Sequence, residues 1–63
     1  MPWDNDYYPP AMQHLAPPVR AKAIVIANAL LGEGRDEGSA IRIAIARAKA
    51  WATHHGITPE GLR

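Results

Sequence analysis

The sequence has no cysteine, few aromatic residues and almost no net charge. Without cysteine there can be no disulfide staple, no thiol nucleophile and no thiolate metal site. The absence is also compatible with a reducing compartment. No apolar run approaches the about 20 residues that a bilayer-spanning helix needs, and Met1-Pro2-Trp3-Asp4-Asn5-Asp6 lacks the basic and apolar regions of a secretory signal. A cytoplasmic chain without a membrane segment is expected. Seven basic and six acidic side chains leave a net charge of +1, so no bulk field draws the protein to nucleic acid or anionic lipid.

Chemistry-bearing residues are equally sparse. The available hydroxyls are Ser39, Thr53, Thr58 and the tyrosines, and no histidine is spaced with a carboxylate as a triad requires. His14, His54 and His55 contain no His-x-x-x-His pair that could grip one ion from one helix face. Gly32, Gly34 and Gly38 follow no strand and precede no Gly-Lys-Ser/Thr, so they are not a phosphate loop. The expectation is a non-enzyme with no catalytic, cofactor-binding or metal residues.

What the sequence does contain is helical periodicity. Over residues 36–55, Ala40, Ile41, Ala44, Ile45, Ala48, Trp51 and Ala52 recur at three- and four-residue intervals, which about 3.6 residues per turn stack on one face. Asp36 is placed to cap this helix, and Gly56 to stop it. Gly38 weakens the first turn, so the start could slip to Ser39. Upstream, residues 18–32 place Val19, Ala23, Ile26, Ala27 and Leu30 on a second apolar face, widened by Ile24 and Leu31, with Lys22, Val25 and Ala29 opposite. Pro18 suits a first turn, and either Gly32 or Gly34 can end the helix. Two helices joined by so few residues must turn back on each other, which gives an antiparallel two-helix hairpin over 18–32 and 36–55.

Residues 1–10 hold Trp3, Tyr7 and Tyr8, three of the four aromatics, beside Pro9 and Pro10. A disordered tail is rarely so aromatic, and X-Pro steps disfavour helix, so an ordered, extended arm covering the hairpin is expected. One short helical turn is predicted near 11–15, with Met12 and Leu15 pointing the same way, and another over 58–62, where Thr58-Pro59 resembles a helix start. The whole chain, 1–63, reads as a single all-α domain.

Alanines on both faces should bring the helix axes close, leaving Trp51, Ile41, Ile45 and Leu30 to supply most of the buried area, with the arm roofing the Trp51 indole. Ile43, Arg47, Ala50 and His54 fall on a flank that the first helix does not reach, and form the candidate interaction surface. Asn28, at the edge of the first apolar face, is expected to hydrogen-bond to the arm. Ordering costs of roughly 1.5 kcal/mol per residue nearly cancel burial in so short a chain, which favours self-association or a protein partner. The alternative is an accessory nucleic-acid binder contacting phosphates through Arg42, Arg47 and Lys49, although the helix offers little to read base edges.

The chain resembles the small bacterial YdaT-like proteins and, more distantly, the ChaB-like proteins. The resemblance is carried by Met1-Pro2-Trp3, Tyr8-Pro9, Val19-Arg20, Lys22-Ala23-Ile24, Ile26-Ala27-Asn28-Ala29-Leu30-Leu31, Glu33-Gly34, Asp36-Glu37-Gly38, Ala40-Ile41 and Ala48-Lys49 with Trp51. It implies no catalytic residues. It implies a loose link to stress response through the first group, and to cation-transport regulation through the second. It also implies that Trp3, Tyr8 and Asn28 matter to the fold.

Overall fold

The computed structural model describes residues 3–60. A 3-10 turn at Pro10–Met12 precedes two helices, α1 over Pro17–Gly32 and α2 over Glu37–His54, which pack on each other as an antiparallel pair. Among the described residues there is no strand, only isolated antiparallel bridges of Asp4 with Tyr7 and of Leu15 with Glu60.

The helix ends follow from local chemistry. Pro17 and Pro18 open α1, where a fixed φ is helical already and a missing N–H leaves nothing unsatisfied. The helix therefore begins one residue earlier than expected. Gly34, at φ 100°, ends it: the Gly34 N–H donates to the Leu31 carbonyl (3.0 Å) and the Arg35 N–H to that of Leu30 (3.2 Å). Gly56, at φ 70°, closes α2 the same way, with Gly56 donating to Thr53 (3.2 Å) and Ile57 to Ala52 (2.8 Å). At the start of α2 the Asp36 carboxylate accepts from the Ser39 N–H at 3.0 Å, and the helix does not slip past Gly38.

The seam between the helices is built from small side chains. Ala40, Ala44, Ala48 and Ala52 of α2 are all fully buried, as are Ala23 and Ala27 of α1. Facing alanines let helices approach to the lower end of the usual range of about 8–10 Å. An indole does not fit such a gap. Trp51, Ile41 and Ile45 are accordingly only half-buried, packed against the core from the seam's edges, whereas Leu30, expected with them, is buried. Bulk comes instead from Met12, Leu15 and Val19, the largest fully buried side chains, with Leu30 and with Trp3, which is 7% exposed.

The arm is ordered, but its role differs from a roof over Trp51. It sends its own indole, Trp3, into the core. The Trp51 ring is flanked from α1 by Lys22, whose Nζ stands 5.4 Å from the ring centroid, and by the ring of His55, the residue that follows α2, at 5.1 Å.

The helical turn expected over 58–62 does not form at Thr58–Glu60. Glu60 bridges to Leu15, the Ala16 N–H donates to the Pro59 carbonyl at 3.0 Å, and Lys49 pairs with Glu60 at 3.1 Å. Tertiary pairing overrides the local helix-start pattern here; residues 61 and 62 lie outside the described residues. No helix among the described residues is long and apolar enough to cross a membrane.

Enlarging the seam should separate the helices. Ala48→Leu is expected to destabilise the protein by about 1–3 kcal/mol through overpacking, read as a lower melting temperature by circular dichroism.

Candidate interaction surface

Three polar side chains fasten the arm and the turn that follows it, each by hydrogen bonds to backbone. Asn28 is buried on α1, one turn beyond Ile24. Its Nδ2 donates to the Trp3 carbonyl at 3.0 Å, while its Oδ1 accepts from the Trp3 N–H at a longer 3.4 Å. The side-chain amide thus takes the place of a strand neighbour for one residue of the arm, satisfying both polar groups that burial of the indole would otherwise strand. This agrees with the role expected of Asn28.

Arg20 was not singled out by its sequence position, yet it organises the next stretch. Its Nε donates to the Met12 carbonyl (3.2 Å), and its Nη2 donates to those of Gln13 (3.2 Å) and Leu15 (2.9 Å). Its guanidinium also lies 4.7 Å from the centroid of the Tyr8 ring. A planar, permanently charged group with several donors can gather convergent carbonyls in this way, which an ammonium cannot do as well. Only the fold brings those carbonyls together, so spacing alone could not have shown it.

The third fastener is Asp4. Its Oδ1 accepts from the Asp6 and Tyr7 N–H groups at 2.9 and 2.8 Å, and the Asp4 and Tyr7 backbones exchange bonds of 2.8 and 3.2 Å. This side-chain-closed turn holds Tyr7 at the tip of the arm, where the residue stays 71% exposed.

Two shallow, open grooves flank Trp3. One, about 370 Å³, lies against α1 and includes Ile24, Val25 and Asn28; Val25 is 63% exposed. The other, about 410 Å³, runs between the arm and the first turn of α2 and is lined by Trp3, Tyr7, Tyr8, Pro9, Pro10, Glu37 and Ile41.

The residues proposed from the sequence lie elsewhere, on α2. Ile43 is half-buried outside the main core cluster, and Arg47, Ala50 and His54 are exposed; their spacing places all four along one stripe. Of the alternative phosphate contacts, Arg42 and Arg47 are exposed, whereas Lys49 is held by Glu60. Of the structural residues, Trp3 and Asn28 are buried, and Tyr8 and Trp51 are half-buried. The sequence pattern missed the aromatic groove along the arm. Its signal was the clustering of aromatics and prolines over residues 3–10, read there as covering material only.

The capping bond from the Ser39 N–H holds the Asp36 carboxyl below its ordinary value of 3.8. The stabilisation is present above that unfolded value. It is lost as pH falls through it and on through the lower folded value.

Compared with curated proteins, the chain is 54% identical over 52 residues to the uncharacterised protein YdaT of Bacillus subtilis (strain 168), an alignment covering 82% of this chain and 35% of YdaT. The chain therefore spans about a third of the length of the curated relative it matches. No protein-family model matches it, and no solved structure does.

Asn28→Ala should cost about 2–3 kcal/mol, because the buried Trp3 amide and carbonyl lose their partners. In a Trp51→Phe background, the Trp3 emission should also shift to the red. Asp36→Asn keeps a capping acceptor but cannot titrate there, so its melting temperature should fall less steeply than that of the parent below about pH 4.

Proposed function

We propose that this chain, a homologue of YdaT over most of its length, is a non-enzymatic helical module that binds another protein or a second copy of itself in the cytoplasm. The observation that carries this reading is apolar surface left outside the core on well-ordered backbone. Tyr7 and Val25 are the large apolar side chains most exposed among the described residues, and Ile43 on α2 is only half-covered. The conspicuous polar side chains support the same reading, because Asn28, Arg20, Asp4 and Asp36 are all engaged in holding backbone.

Nucleic-acid binding is the lesser reading. It draws on Arg42 and Arg47, which are exposed, but Lys49 already has a carboxylate partner. Protein association needs no such charge and uses surface that the fold leaves open.

Light scattering on the purified chain, combined with capture of partners from native lysate, tests the proposal. Association is expected, and Ile43→Glu should weaken it if the α2 stripe takes part, with the helical circular dichroism signal retained. A strict monomer that retrieves no partner would sink it.

A further inference from the structure

We infer that the groove between the arm and the first turn of α2 binds an extended, proline-containing peptide carrying Arg or Lys. This names the partner class for the interaction function proposed above, and it rests on that reading.

The argument starts from Tyr7. Ordering a surface aromatic is unfavourable unless something is gained, and here its backbone is fastened by the Asp4 side chain and by both backbone bonds to Asp4, while the side chain stays 71% exposed. The backbone that carries the ring is thus held before contact, which lowers the entropic cost of binding. Across the groove stand Ile41 and Glu37 of α2, and Trp3, Tyr8, Pro9 and Pro10 complete the lining.

The shape of the surface selects the ligand. Asp4 and Tyr7 already pair with each other, so the turn that carries Tyr7 offers no free ladder for an added strand. What it offers is the open Tyr7 side chain beside apolar lining from Tyr8, Pro10 and Ile41. Aromatic-lined grooves of this kind accept polyproline-type segments, which are extended before they bind and need few backbone bonds.

Charge then selects the flanking residue. Glu37 is the one acidic side chain in the lining and has no basic side chain beside it there. Of the cations around it, Arg20 lies over the Tyr8 ring with its donors directed to the Met12, Gln13 and Leu15 carbonyls, and Arg42 follows Ile41 on α2 without entering the lining. An arriving Arg or Lys therefore meets the Glu37 carboxylate, and a Glu or Asp would be repelled by it.

A fluorescein-labelled peptide of repeated Pro-Pro-Arg, titrated with the full chain and followed by anisotropy, tests this. Repeats of Pro-Pro-Glu and Gly-Ser-Arg serve as controls for charge and for proline. Saturable binding is expected for Pro-Pro-Arg, weakened about 10-fold or more by either control and by Tyr7→Ala, whose exposed side chain can be removed without unfolding the protein. Glu37→Gln should weaken it by a smaller factor and reduce its dependence on salt.

The inference is overturned if Pro-Pro-Arg gives no saturable change, if Gly-Ser-Arg binds equally well, or if Tyr7→Ala binds like the parent with an unchanged melt. It is also overturned if Tyr7→Ala abolishes self-association while no peptide binds, since the occupant would then be a second copy. Association that survives without peptide binding leaves the broader interaction function standing and removes only this ligand.

Discussion

A single side-chain amide holds the architecture together. Asn28 bonds to both polar groups of Trp3, and only with those groups satisfied can the leading indole remain buried beside Ile24. The indole in turn supplies bulk that the alanine seam cannot. Without it the hairpin would depend on Met12, Leu15, Val19 and Leu30 beside the alanine seam, with less apolar area to set against the cost of ordering the chain.

The remaining fasteners extend that principle. Arg20 gathers three carbonyls between the 3-10 turn and α1, positioning the loop that delivers Met12 and Leu15 to the core. The stretch after α2 returns across the same loop through Pro59 and Glu60. Irregular segments before and after the hairpin therefore meet, and no buried side-chain polar atom among the described residues lacks a partner. For a small domain, satisfied polar contacts of this sort confer uniqueness more than raw stability.

Much of this was legible in the sequence. Periodicity located both helices to within a residue or so, because alanine and isoleucine recur at helical spacing and because Asp36, Gly34 and Gly56 have capping chemistry that acts locally. The core was less legible. Periodicity marks which face of α2 is buried but says nothing about how wide the gap is, so it could not tell that Trp51 would be kept to the seam's edge while Trp3 became the buried indole. The reach of Arg20 and the pairing of Glu60 depend on contacts between distant residues, and no window along the chain contains them. The aromatic groove is illegible for a related reason: the composition of residues 3–10 marks them as covering material, and a cover also has an outer side.

The alanine seam has one more implication. Ala40, Ala44, Ala48 and Ala52 form a ladder of identical rungs, so sliding α2 along α1 by four residues, about 6 Å, would present nearly the same surface to its neighbour. Such a seam sets the distance between the rods but not their axial alignment. Alignment must come from contacts that occur once: the short connection at Glu33–Asp36, Lys22 against the Trp51 ring, and the Glu60 bridge. Proximity and phasing are thus encoded by different residues, and evolution can retune one without disturbing the other.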